Sequence, residues 1–450
     1  MTLHLRTHVD KGAVVLAIIF LAAFFLLFKP WLHGFDGMGY YSWLRSAAID
    51  SDLDLANEFE HFGFEDEIVR TDTGYTAIQY TIGASVLWTP FFLAVHIPSL
   101  LLQTAGFGVV ADGYGTQYAF ATCLGSAIYA FIGLLLAYYV ACQVSGRKSA
   151  LLATTVIWLA SGVVFYMFLH PSMSHANDIF VNSLVIAIWF WTRKKRTHRG
   201  WLALGASIGL ATLVRQQNAI AVIFPAAEWL LIFWKNRGRR RWHTLASGIL
   251  FALAGLVVFS PQFYVWHRVY GQWLVLNPHS ATSGTTINFL RPRFFDVLFS
   301  INRSLFFYAP VLLPAVLGLW PMRHRAPRLT TILFVSWTLQ VYLVCSWSAS
   351  GGAAFGRRVL LNSTPVYVVG LAALIKTLLE HRLPLRTLWI IGCGFIVWNL
   401  LLIVQYVTGL LPHVSRPESG WSVIMNQWRV IGVFLERLDE ILSQRFSLWR

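Results

Sequence analysis

Residues 12–45 read GAVVLAIIFLAAFFLLFKPWLHGFDGMGYYSWLR. The first part, 12–31, is an apolar run of roughly the 20 residues that a helix needs to cross a bilayer. Arg6 and Lys11 precede it, and a long polar stretch over 32–78 follows it. That stretch carries Asp36, Asp50, Asp52, Asp54, Glu58, Glu60, Glu65, Asp66, Glu67 and Asp72, against Arg45 and Arg70. Cations stay on the cytoplasmic side of membrane helices, so the N-terminus is expected inside and the acidic loop outside. The run is long enough to remain as a first span rather than to be removed as a signal.

Working outward, the rest of the chain has the same character. Of 450 residues, 56% are hydrophobic and 12% charged. A soluble domain cannot hide so much apolar surface, and backbone in lipid must satisfy itself, so the recurring apolar runs are expected as helices. Trp 20, Phe 33 and Tyr 16 fit rings anchored at the membrane interface. The net charge of +15 does not point to nucleic acid, because the basic residues sit in short loops between apolar runs. They cluster at Arg147 and Lys148, over 193–199, 235–241 and 323–328, and at Lys376, Arg382 and Arg386. Those loops are expected in the cytoplasm. Cys123, Cys142, Cys345 and Cys393 all fall in apolar runs without metal spacing, and read as small core residues.

Parity constrains the topology. One crossing fits between the external loop and Arg147, yet apolar runs lie at both 79–103 and 116–143. We expect 116–143 to cross and 79–103, broken by Pro90 and Pro98, to lie at or dip into the outer leaflet. The alternative places Arg147 and Lys148 outside. Further crossings are expected at 149–169, 177–192, 201–214, 218–234, 244–266, 304–321, 328–346, 359–376 and 386–410. The fold class is thus an all-α polytopic bundle of about eleven transmembrane helices, with short juxtamembrane helices in the first external loop. The membrane domain covers 1–410, and 411–450 form an external segment. There Trp421, Ile424, Trp428, Ile431, Leu435, Leu438 and Leu442 recur at helical spacing between charged residues, which marks an amphipathic helix.

Candidate chemistry gathers on the external side. Asp36 sits just past the first span, where partial desolvation favours proton acceptance, or where it caps a short helix. Asp52 and Asp54 are spaced to hold a divalent cation or to make turns. Arg215, between two apolar runs, is costly unless it meets an anion, a lipid headgroup or water. His175, in HPSMSHA over 170–176, suits proton chemistry, anion or metal binding, or none of these. The stretch SGGAAFGRR over 350–358 places glycines and then Arg357 and Arg358 before a span, as in a phosphate cradle or a mobile loop.

In their order along the chain these motifs resemble the GT-C superfamily of membrane glycosyltransferases, nearest the bacterial branch related to protein O-mannosyltransferases and the lipid A aminoarabinose transferase. Asp36, Tyr40 and Arg45 match the acidic, Tyr and Arg positions that open the family's first external loop, with Gly37 where a second acid is usual. The segment from Tyr80 to Phe91 resembles its Pro-rich membrane-lying segment. His175 stands where a later acid is expected. Arg215 matches the basic residue of a Leu-Thr-Lys pattern, and FGRRVL over 355–360 resembles Phe-Gly-x-Arg-Tyr-Leu, with Arg358 as the matching arginine. The resemblance covers most of 30–365 and lacks the family's C-terminal domain.

The basic loops put the N-terminus in the cytoplasm and the count of crossings puts the C-terminus outside, and the resemblance implies an inner-membrane enzyme. It would move a sugar, with inversion, from a polyprenyl-phosphate carrier to a glycan, lipid or protein acceptor. Asp36 would be the general base, and Tyr40, Arg45, His175, Arg215, Arg357 and Arg358 would bind substrate. No nucleotide sugar is needed, because the carrier lipid delivers the sugar, and the spacing of Asp52 and Asp54 leaves a divalent cation as a possible cofactor. The competing readings are a flippase or transporter for lipid-linked sugars, and a non-catalytic protein that binds the carrier lipid.

Overall fold

A computed structural model describes residues 10–276, 285–301, 303–348, 354–411 and 420–437. Arg6, Ser350, Gly351, Gly352, Ala353, Leu438 and Leu442, used above, lie outside the described residues. Among those described the chain is helical, with two isolated β-bridges and no named strand.

Helix α1, Lys11–Leu27, starts at Asp10, whose Oδ1 accepts from the amides of Gly12 at 2.9 Å and Ala13 at 3.2 Å. This satisfies two of the N–H groups that a helix start leaves open. Tyr138 Oη donates to the same oxygen at 2.9 Å, and Arg147 Nε approaches Oδ2 at 3.2 Å. The acidic loop contributes α2 (Gly34–Arg45) and α3 (Ala56–His61), followed by α4 (Gly83–Thr104), α5 (Thr116–Ser145) and α6 (Arg147–Leu159). Asp10 therefore ties the start of α1 to the α5–α6 junction, so Arg147 lies on the N-terminal side of the bundle. Ring contacts of Phe20 with Phe131 and of Phe28 with Phe120 carry α1 along α5 to the opposite side.

Helix α4 is long and apolar enough to cross a membrane. Yet its start and the loop that follows it both meet α2. At its start Ser85 Oγ donates to the Tyr40 carbonyl at 2.6 Å. Past its end, the Asp112 carbonyl accepts from Arg45 Nε at 2.9 Å and the Gly113 carbonyl from Tyr41 Oη. Between them α4 runs against the first part of α5, where Trp88 Nε1 donates to Ser126 Oγ at 2.7 Å. It remains one helix through Pro90 and Pro98.

After α6 the chain bends by 64° and continues as 162–169. The bend frees carbonyls, and Asn399 Nδ2 reaches two of them, Leu159 at 2.9 Å and Ser161 at 3.1 Å. The chain then runs through α7 (His175–Thr192), α8 (His198–Val214), a 3₁₀ turn over Gln216–Val222, α9 (Ile223–Lys235) and α10 (Arg239–Tyr270). A short α11 (Phe294–Leu298) leads to α12 (Leu312–Met322) and α13 (Pro327–Ser346). A 3₁₀ turn over Arg358–Ser363 precedes α14 (Thr364–Glu380), then α15 (Leu385–Val407) and α16 (Gly420–Glu436). Among the described residues seven helices are long and apolar enough to span, or eight if the bent pair is one span. The other expected crossings are shorter or more polar: α1, α7, α8 and α12. The expected span over 304–321 is cut to α12 because the helix Leu305–Tyr308 stops just before Pro310.

Helix α16 seats Val423, Gln427 and Val430 inward, with Gln405 Nε2 donating to the Val423 carbonyl at 3.2 Å. Trp421, Trp428, Ile431 and Leu435, the ridge seen in the sequence, are turned outward and exposed.

Candidate active site

Helix α2 is not laid out on a surface. Tyr40, Tyr41, Trp43 and Leu44 are buried against α4 and Tyr80, because the loop 46–82 folds over them. Asp36 lies in its first turn, but the cap position is His33 and no side chain caps the helix. The carboxylate instead faces a partner on each oxygen. Oδ1 accepts from Tyr80 Oη, and Oδ2 lies 2.7 Å from Arg358 Nη1. Burial first, and the Asp36 charge second, push the Tyr80 phenol well up, so it stays a donor.

Arg358 arrives from the far end of the sequence. Gly356 has φ of +59°, a left-handed conformation that favours glycine. The turn sends Arg358 toward Asp36 and Met173, whose Sδ is 3.4 Å from Nη1. Arg357 goes another way, its Nη2 3.3 Å from the Asp296 carbonyl. Burial, and the nearby Arg293 and Arg303 charges, push Arg357 down to about 10. Of the two adjacent arginines, Arg358 is the one that reaches Asp36.

Arg215 sits where α8 ends. Its Nη1 donates to Ser174 Oγ at 3.1 Å, and Ser174 Oγ is 2.9 Å from Tyr40 Oη. Gly83 permits this arrangement: a Cβ there would stand 2.3 Å from the backbone of Leu213 and Val214, so only glycine lets α4 abut the end of α8. Arg215 Nε faces Asp178 Oδ2 at 3.6 Å. His175 is 2% exposed, its ring centroid 5.0 Å from Tyr166. The charges of both Arg215 and Arg358 act on it, and its Nδ1 has no hydrogen-bond partner. Asp36, Tyr40, His175, Arg215 and Arg358 thus form one cluster. The side chains of Asp36, Arg358 and Arg215 keep 23%, 20% and 14% exposure, so a ligand can reach them.

Arg45 stands apart from this cluster. Its Nη1 bonds Glu58 at 2.7 Å and also Asp50, and its guanidinium lies 4.0 Å from the Tyr114 ring centroid. This packs the loop onto α2. Asp52 Oδ1 accepts from Ser46 Oγ at 2.7 Å and the Asp54 amide at 3.2 Å. Asp54 takes Arg70 on both oxygens and Thr76 as well. These carboxylates are engaged in turns and ion pairs, and no group of three His, Cys, Asp or Glu suited to a metal occurs among the described residues.

Three partners were not singled out from the sequence. Tyr80 was read as part of an apolar segment. Ser174 was unmarked within its motif. Asp178 lies three residues beyond His175, where the later acid was thought to be replaced. A carboxylate inside an apolar run was the available signal for Asp178.

Comparison with known proteins bears on the fold. The family model described as dolichyl-phosphate-mannose-protein mannosyltransferase matches residues 115–266. A curated relative, undecaprenyl phosphate-alpha-4-amino-4-deoxy-L-arabinose arabinosyl transferase 1 of Pseudomonas fluorescens, is 23% identical over 218 residues. That match spans 44% of this chain and 39% of the relative. Crystal structures of ArnT from Cupriavidus metallidurans, in the apo state and bound to undecaprenyl phosphate, superimpose with TM-scores of 0.51 and 0.50. Their identities are 14% and 15%, covering 98% and 97% of this chain and 73% of each ArnT chain. The chain is a polytopic membrane protein with the helical fold seen in ArnT.

Proposed function

We propose that this membrane protein transfers a sugar from a polyprenyl-phosphate carrier to an acceptor hydroxyl, with Asp36 as general base. The observation that carries the reading is the meeting of Asp36, Arg358 and Arg215 in one accessible cluster, drawn from three distant parts of the chain. The acceptor oxygen attacks the anomeric carbon and its proton passes to Asp36. The bond from that carbon to the phosphate oxygen breaks on the opposite face, so the sugar inverts, and the electron pair leaves on the carrier phosphate. Arg215 and Arg358 stabilise the charge that develops there. Tyr80 orients Asp36 from the side away from Arg358, and Tyr40 holds Ser174 toward Arg215. His175 supplies a buried nitrogen for a sugar hydroxyl.

The undecaprenyl phosphate in the ArnT complex supports the carrier class. The α2 side is taken as extracytoplasmic and the N-terminus as cytoplasmic, from the acidic loop and the basic loops opposite it. Helix α16 fits this placement, since it packs at the end of α15 remote from the basic α14–α15 turn.

The test is transfer by the purified full chain in lipid nanodiscs, given radiolabelled polyprenyl-phosphate sugars and envelope extract. Labelled product from wild type and none from Asp36→Asn is the expected result. Full transfer by a folded Asp36→Asn protein overturns the base assignment. Carrier binding without turnover across all acceptors favours a non-catalytic role.

A further inference from the structure

Asp178 lies outside the reaction as written. Its side chain is fully buried on α7. Oδ1 is clasped by Asn218 Nδ2 at 2.6 Å and Asn182 Nδ2 at 2.9 Å. Asn218 is itself fixed: its Nδ2 reaches the Ala211 carbonyl at 2.8 Å, and its Oδ1 accepts from Asn362 Nδ2 at 3.2 Å. The carboxylate is therefore anchored through α7, the turn before α9 and the turn before α14. Oδ2 is left facing Arg215 Nε at 3.6 Å, and neither atom has a hydrogen-bond partner.

We propose that Asp178 is a positioning residue that competes with the carrier phosphate for Arg215 and thereby promotes release of the spent carrier. This rests on the reading of Arg215 as a phosphate ligand. A guanidinium offers five donors in a fixed plane. Arg215 can turn its Nη edge to a phosphate while Nε stays toward Asp178. Held by its asparagines, Asp178 cannot follow Arg215 outward. It sits as a second anion behind the arginine and offsets part of the charge that the phosphate would otherwise meet. In a site sheltered from water such an offset is felt strongly. After transfer the carrier phosphate has gained negative charge, and this is when a competing carboxylate matters most.

A purely structural Asp178 and a competing one predict opposite signs. If Asp178 only propped Arg215 in place, Asp178→Asn would weaken binding of the carrier. If it competes, Asp178→Asn leaves Arg215 without its counter-charge and binding tightens. The probe is undecaprenyl phosphate, titrated into the full-length protein in nanodiscs. We expect Asp178→Asn to bind it about tenfold more tightly, a modest share of the coupling that close charge pairs show. Steady-state kcat and KM should fall together. In an Arg215→Ala background the Asp178 substitution should have no effect on binding. If Asp178→Asn does not fold, Asp178→Ser removes the same charge with a smaller side chain and is expected to shift affinity the same way. Unchanged or weaker binding by a folded variant overturns the proposal. Wild-type affinity in Arg215→Ala alone overturns instead the reading of Arg215 on which it rests.

Discussion

Arg358 Nη1 stands 2.7 Å from Asp36 Oδ2, although one residue follows the first helix and the other precedes the fourteenth. The contact joins the proposed base to one of the two cations proposed to receive the leaving phosphate. Base and phosphate ligand share a boundary, so an acceptor hydroxyl on Asp36 and a phosphate on Arg358 would be neighbours.

Replacing Asp36 by Asn keeps its size and removes its capacity to take a proton. Turnover should drop by about 10²–10⁴, the usual worth of a positioned general base. Binding of undecaprenyl phosphate should survive, since Arg215 has its own anchor in Ser174. Rate and binding measured on the same nanodisc preparation check both halves.

The two arginines should separate by chemistry. Arg215→Ala and Arg358→Ala are each expected to cost about 10²–10³ in kcat/KM, as for loss of a donor to developing charge. Arg358→Lys retains the charge but not the planar fork, and should recover part of that loss. Single-turnover rates at saturating carrier are the measurement; equal rates for wild type and Arg358→Ala would remove Arg358 from the chemistry.

Tyr80→Phe deletes the hydroxyl that donates to Asp36 Oδ1 and keeps the ring that packs on Tyr40 at 4.5 Å. Folding should be preserved. The loss of orientation should lower kcat by roughly tenfold, a fraction of what removing the base itself costs. A wild-type rate in this variant would show that Arg358 alone orients the carboxylate.

The acidic loop carries its own pH dependence. Glu58 and Asp50 share the Arg45 guanidinium, and burial pushes the Glu58 carboxyl up to about 7 despite the pull of Arg45. A folded pKa above the ordinary 4.5 means that the folded state holds a proton the unfolded state has released. The stability this gives is fully present below 4.5 and is lost as pH rises through 7. Thermal midpoints of wild type should therefore fall across that window, and those of Glu58→Gln should stay nearly flat. Parallel curves for the two proteins would contradict the assignment.

Gly83 offers a test of architecture. A methyl group at this position would meet backbone atoms of Leu213 and Val214 at 2.3 Å, and backbone cannot yield as a side chain can. Gly83→Ala should cost about 1–3 kcal/mol of stability, the range for overpacking a tight contact. It should also impair carrier binding, because Arg215 is the next residue along. A variant as stable and active as wild type would mean that α4 and α8 do not touch there.

The outline of the fold was legible because membrane helices announce themselves by length and apolarity. The site was legible in part. Asp36, Arg215 and Arg358 each interrupt an apolar context or follow glycines, and the structure gathers all three. Arg45 was misplaced because a motif position says nothing of competing partners, and Asp50 and Glu58 lie close enough in sequence to claim it. Asp178 was not legible because His175, three residues before it, occupies the place where the family pattern puts the later acid. Tyr80 was missed because a phenol in an apolar segment looks like packing. The short α12 shows the reach of a single proline, which ends one helix before the hydropathy run is over.

The bend after α6 has a further consequence. The segment 162–169 works as a lever arm whose fulcrum is Asn399, on a helix that contributes nothing to the proposed chemistry. At the tip of that arm the Leu169 carbonyl accepts from Trp31 Nε1, and Ser174 stands five residues further on. A straightened arm would swing the serine out of reach of Tyr40 and Arg215. An amide on a helix behind the pocket thus shares in setting its aim.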